Sequence, residues 1–248
     1  MVSLADRFAA AVAAECGTAS AGETDGHLLP ARLARAAARL LEADGAGLSL
    51  LTREGEPTPL GASSAEAGRA ERLQFTVGCG PCTQAHRTGQ PVFVVEADIR
   101  RRWPAFADLL LTLTSFRGIV SLPLRSAMSG LGAMNLFFRD PAGVRGLDVF
   151  DAVAVGELIT NALGDAAVLS TWSEAAGPDW LRSPPALRRA AVWHAVARTS
   201  MALDVDTPEA LALLRAFAYS GGRSVDAVAA DLLNGRLVPA DVGGQPAG

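Results

Sequence analysis

Residues 77–93 read "VGCGPCTQAHRTGQPVF", and two incompatible folds meet in them. Cys79-Gly80-Pro81-Cys82 spells a redox-active dithiol. Such a site needs its first cysteine exposed at a helix N-terminus, where the dipole lowers the thiol pKa, inside a βαβ unit. The flanking sequence offers hairpins instead. "GIVSLPLR" (118–125) and "GLGAMNLFFRD" (130–140) are strands separated by the turn "SAMSG", which is the pattern of an antiparallel pair. Cys79 and Cys82 stand as redox candidates, either a dithiol enzyme or an oxidant-sensing pair. The favoured reading is a turn whose cysteines are small, semi-buried residues.

Working outward, "RLQFTV" (72–77) alternates like a strand ended by Gly78, and "PVFVVEAD" (91–98) and "AGLSLLT" (46–52) are further strands. The acidic, Pro/Gly-rich stretch after residue 52 reads as a loop. Leu33, Ala37, Leu40 and Leu41 share one face of a helix before the first strand. Pro104 suits the first position of another helix, and Asp148 to Leu169 is a long apolar one. Helices and hairpins in this order predict an α+β fold with one antiparallel sheet flanked by helices.

Half of the 248 residues are hydrophobic and 19% are charged, enough to bury a real core. The net charge of -4 supplies no global field for nucleic acid or anionic lipid. Every basic residue apart from histidine is arginine, the better side chain for forked phosphate contacts and base stacking. Three cysteines, Cys16, Cys79 and Cys82, are too few for a disulfide scaffold. No apolar run approaches the length needed to span a bilayer, and "MVSLADRFAAAVAAEC" reads as an amphipathic helix, not a signal peptide. The expected location is cytoplasmic. Cys79, Cys82 and His86 have metal-like spacing but lack a fourth ligand, so no metal is expected.

"WSEAAGPDWLRSPP" (172–185) gathers four Gly and Pro residues. Its Pro pair predicts a break between two helical regions. Three short helices follow. Val192, Ala195, Val196, Thr199 and Leu203 share the inner face of the first. Thr207 caps the second, which turns Leu211, Leu214 and Ala218 inward. Ser224 caps the third, with Val225, Val228, Ala229 and Leu232 inward. Helices this short bury little surface. They are expected to lean on the long helix before them or on a second chain.

Two stretches resemble known families. Gly78, Gly80, Pro81, Cys82, Gly89, Pro91, Arg102, Trp103, Pro104, Pro123, Leu124, Gly132 and Asn135 fit the pattern of a GAF sensory domain of actinobacterial regulators. Ala195, Pro208-Glu209-Ala210, Leu214-Arg215, Ala218, Arg223, Val228-Ala229 and Leu232-Leu233 are similar to an ANTAR domain, a three-helix RNA-binding module of transcription antiterminators. The order GAF then ANTAR is itself a known arrangement. Cys79 stands where the first pattern usually has an acid. Ala197 replaces the usual glycine of the second.

The resemblance implies an N-terminal helix and loop (1–28), a GAF-like sensory domain (29–170), a linker (171–186), an ANTAR-like three-helix RNA-binding bundle (187–238) and a flexible tail (239–248). It implies no catalytic residue and a signal-responsive regulator, acting as a dimer, that promotes antitermination. The partners would be a structured RNA leader and a second copy of the chain, with neither membrane nor DNA. Arg198, Arg215 and Arg223 are the RNA candidates, with His194 and Tyr219 as stacking partners. Phe75, Phe93, Trp103, Phe106 and Phe116 either line a pocket for an unidentified small ligand or simply fill the core.

Overall fold

The run GAMNLFF at 132–138 is buried at every position, which only a strand covered on both faces requires. In a computed structural model describing residues 2–16, 28–51, 57–124, 132–169 and 177–244, it is β5, Gly132–Phe138, the middle of a five-stranded sheet. The other strands are β1 (Gly45–Leu51), β2 (Pro57–Ala62), β3 (Val92–Val95) and β4 (Gly118–Leu124). The order is β2-β1-β5-β4-β3, and every pairing is antiparallel. The fold is α+β, as expected. The turn "SAMSG", the break at 18–27 and the start of the linker lie outside the described residues.

Three helices cover one face: α1 (Leu4–Cys16), α2 (Leu29–Leu40) and α8 (Val149–Leu169). Leu48, Val120, Leu122, Met134, Leu136 and Phe138 meet Leu33, Ala37, Val155 and Ile159 there, with Phe8 of α1 in the same cluster. The N-terminal helix is thus part of the core, and Glu15 ties it to Arg35 and Arg39 of α2 at 2.5 Å each. By length and composition alone α8 could cross a membrane, with 21 residues and a hydropathy of 1.4. That differs from the expectation, because its acids are too sparse to interrupt the apolar count. Here its inward residues fill the core, while Asp151, Glu157 and Asp165 are exposed.

The opposite face carries α3 (Ala65–Val77), α4 (Pro81–Thr88), α5 (Glu96–Arg102) and α6 (Pro104–Leu113). Here two expectations fail. "RLQFTV" is the last half of α3, not a strand. Ser64 caps that helix by accepting from the Ala67 N–H at 3.1 Å, and the Ala/Glu/Arg-rich turns that follow propagate it through the β-favouring Phe, Thr and Val. Gly78 ends it in the left-handed region at φ 71°, the residue type that adopts this conformation freely. The supposed loop contains β2, whose Pro57 and Pro59 are tolerated because β2 is an edge.

The C-terminal helices are α9 (Pro184–Leu203), α10 (Thr207–Ser220) and α11 (Val225–Leu233), preceded by α7 (Pro141–Gly146) before α8 and followed by α12 (Pro239–Val242). Of the expected inner-face residues, Val192, Ala195, Val196, Thr199, Leu211, Leu214, Ala218, Val225, Val228, Ala229 and Leu232 are buried, and Leu203 is half-buried. Three details differ. Pro184 and Pro185 start α9 instead of breaking the chain, since the first turn needs no N–H donor there. Asp206, not Thr207, caps α10 by accepting from the Glu209 N–H at 2.8 Å. Part of the supposed tail forms α12, with Val242 buried in the bundle core. Trp180, in the short turn before α9, is buried against α8 and donates to the Leu163 carbonyl at 3.1 Å.

Candidate functional site

Because α3 is a helix, its residues point two ways. Ala67, Ala70 and Leu73 pack beneath the sheet. Phe75 instead sits inside the core of the C-terminal bundle, beside Val192, Val196, Leu214 and Val228. The bundle therefore leans on α3, not on α8. Trp193 meets the Phe75 ring edge-on at 6.4 Å. The Arg189 and Arg215 guanidinium groups lie 3.4 and 4.7 Å from its centroid, cation–π contacts strengthened by desolvation. Arg215 Nε also donates to the Phe75 carbonyl at 2.9 Å, which the end of a helix leaves open. Thr76 Oγ1 accepts from the Val225 N–H at 3.1 Å, so a hydroxyl of α3 serves the start of α11.

Next to this plug runs a line of buried polar groups. Ser121 Oγ donates to Asn135 Oδ1 at 2.5 Å, and Asn135 Nδ2 donates to Glu71 Oε1 at 2.7 Å. A Cβ at residue 47 would lie 2.3 Å from Glu71 Oε1, so Gly47 makes room for that carboxyl. Burial pushes Glu71 up to about 7, with the Asn135 amide and Arg189 pulling the other way. Arg189 is 2% exposed. It donates to the Pro57 carbonyl of β2 and faces Asp226 Oδ2 of α11 at 3.6 Å. The Asp226 carboxylate is buried and accepts no hydrogen bond from any described residue. One arginine thus touches α3, β2 and α11 together.

The sequence-predicted residues distribute as follows. Phe75 is the plug. Trp103, Phe106 and Phe116 are buried in the core beneath the sheet, with Phe116 stacked on Phe137 at 5.0 Å. Phe93 is 38% exposed on the edge strand β3. The five do not surround one space. Among the RNA candidates, Arg215 is engaged with Phe75, and the Tyr219 hydroxyl donates to Asp108 of α6 at 3.0 Å. Arg198 Nη1 donates to the Leu232 carbonyl at 2.9 Å. Arg223 pairs with Asp231, which also takes Arg236 at 2.6 Å, and the two guanidinium groups hold that carboxyl below its ordinary range. His194 is exposed on α9.

The Cys79 and Cys82 thiols are free. Cys82, in the first turn of α4, is buried, and burial together with Glu71 pushes it up to about 12, against the Ser49 and Asn135 contacts. Its N–H donates to Gln74 Oε1 at 2.9 Å. Burial also raises Cys79, with Arg215 pulling it down. An activated thiol is shifted the other way.

Glu71, Arg189 and Asp226 escaped the sequence reading as site residues, and Asn135 entered it only as a position of the GAF pattern. A signal existed for Arg189: it lies three residues before Val192 and seven before Val196, on the apolar face of α9. Glu71 likewise lies four residues after Ala67 in the same helix. Asn135 sits in a strand buried on both faces, where a polar side chain needs a partner.

No protein-family model matches the chain, and no curated protein matches it. Among solved structures, the chain is similar to the GAF domain of an Acinetobacter phosphoenolpyruvate-protein phosphotransferase, at 11% identity over 68% of this chain and 96% of that one, with a TM-score of 0.41. It is similar to the GAF domain of the corresponding Coxiella burnetii protein, at 15% identity over 66% and 99%, with a TM-score of 0.41. A free methionine-R-sulfoxide reductase from Neisseria meningitidis, in complex with its substrate, matches at 16% identity over 65% and 88%, with a TM-score of 0.43. At these values no ligand, activity or partner transfers to the chain.

Proposed function

We propose that the chain is a signal-responsive regulator in which a GAF-type sensory unit, residues 29–169, controls an ANTAR-like bundle that binds structured RNA and promotes antitermination, acting as a homodimer. The sequence patterns of both families, in that order, support the reading. The observation that carries it is the engagement of Arg215 by the Phe75 carbonyl and ring. The residue best placed by sequence to meet RNA is held by the sensory unit, as a masked output would be. Release of α10 from α3 would free that guanidinium and the Tyr219 ring together. Such a switch shifts only as far as the signal prefers one arrangement over the other. No residue is assigned to catalysis.

The test is a gel shift with a twin-hairpin RNA. The expected result is weak binding by the native chain and at least tenfold tighter binding by Phe75→Ala, which empties the docking socket. The affinity should fall steeply with salt, as phosphate contacts require, and be lost in Phe75→Ala/Arg215→Ala. No salt-dependent binding by either protein would overturn the RNA reading.

One observation favours a second reading, output through protein contacts. Asp231 takes both Arg223 and Arg236, which ties up both guanidinium groups of that corner whether or not the bundle is docked. A bundle that undocks in Phe75→Ala yet ignores RNA would support it. The thiol alternative predicts insulin-disulfide reduction that Cys79→Ser abolishes; the raised thiol pKa values oppose it.

A further inference from the structure

A cavity of about 610 Å³ lies where the sensory unit meets the bundle, within the range that holds small organic ligands. It is not the space around the aromatic candidates. The first turns of four helices line it: α2 at Leu28, α3 at Ser64, α9 at Pro184 and α11 at Ser224. Each contributes partial positive charge. Arg72 and Arg188 also line the cavity. Neither guanidinium makes a hydrogen bond or ion pair with any described residue, and burial lowers the Arg72 pKa with Asp226 as its nearest compensating charge.

Such an environment selects an anion, yet it also contains Asp226. That carboxylate is more than nine-tenths buried, faces Arg189 at 3.6 Å and accepts no hydrogen bond from any described residue. A buried acceptor left unmet is costly, and a ligand N–H would meet it. The fourth charged group lining the cavity is Glu71, held near neutrality by burial. The cavity thus offers two forked cationic donors and a buried carboxylate that accepts no hydrogen bond. We propose that it is a binding site for a small zwitterion of the α-amino-acid type, with the carboxylate on Arg72 and Arg188 and the ammonium on Asp226. Because the walls belong to both units, the ligand would bind the docked arrangement better than the open one and hold the two together.

The proposal concerns binding by the full chain without RNA, so failure of the gel shift leaves it standing, and its own failure leaves the RNA reading standing. The test is calorimetric titration and thermal melting with each of the common L-amino acids. Acetate, inorganic phosphate and methylammonium serve as single-charge controls. At least one amino acid should bind and raise the melting temperature, with each control at least tenfold weaker. Arg188→Gln, at an exposed position, should weaken that binding at least tenfold while leaving the unliganded melt unchanged. Asp226→Asn should abolish it. Three results would overturn the proposal: no amino acid binding at about 10 mM, phosphate alone binding as tightly as the amino acid, or affinity unchanged in Arg188→Gln.

Discussion

Glu71 concentrates the chemistry of the joint in one side chain. Its folded pKa, raised by burial to about 7, exceeds that of the unfolded chain. The contribution to stability is therefore fully present below the unfolded value of 4.5 and is lost as pH rises toward 7. The loss across that window is about 3 kcal/mol. Glu71→Gln keeps an acceptor for Asn135 and removes the titration. It should flatten the stability profile between those limits and leave the protein more stable at pH 8, which urea melts across pH would record. A native profile already flat over the window would refute the assignment. Little of this was legible in the sequence. A glutamate in an amphipathic helix reads as a solvated residue, and only the missing side chain at Gly47, far away in the chain, gives it a buried berth. The cysteines are the converse case: four adjacent letters suggested reactivity, and burial set by Leu51 and Ala133 around Cys82 decided otherwise.

At the scale of elements, α3 decides the molecule. Read as a strand, it would place Leu73, Phe75 and Val77 on one face. As a helix it divides Leu73 from Phe75 and so serves two cores. Local alternation misled because Phe, Thr and Val favour strands, while the helix is capped at Ser64, eleven residues before Phe75 and beyond the reach of a short pattern. The strands and helices with long, unambiguous periodicity were legible: β4, β5, α8 and the inner faces of α9 to α11. Phe75→Ala should cost about 3–5 kcal/mol, felt as lost amide protection in α10 and α11 while β4 and β5 stay protected in hydrogen exchange. Arg189→Met strands Asp226 and should cost a similar amount, about 3–5 kcal/mol. Arg189→Met/Asp226→Asn should recover part of it, and additive losses in that cycle would show the pair to be uncoupled.

For the whole molecule, the two units are stitched by Phe75, Arg189, Arg215, Thr76 and Tyr219 across one contact zone. Thermal unfolding of the native chain should be a single transition by both far- and near-ultraviolet circular dichroism. Phe75→Ala should separate it into two, and coincident transitions in that variant would mean that the bundle does not depend on α3. The sequence pointed to a sheet region and a helical region after it but not to how they sit together. That information resides in pairs more than a hundred residues apart, such as Thr76 with Val225 and Pro57 with Arg189, which no periodicity encodes.

Trp193 rests edge-on against Phe75 at 6.4 Å, in the seam that any opening would have to part. Its indole is a built-in optical gauge of the joint. Parting the seam would hydrate the ring and move its emission to longer wavelength, so undocking could be followed in real time, without a label, in a chain whose other described tryptophans, Trp103 and Trp180, belong to cores that stay shut.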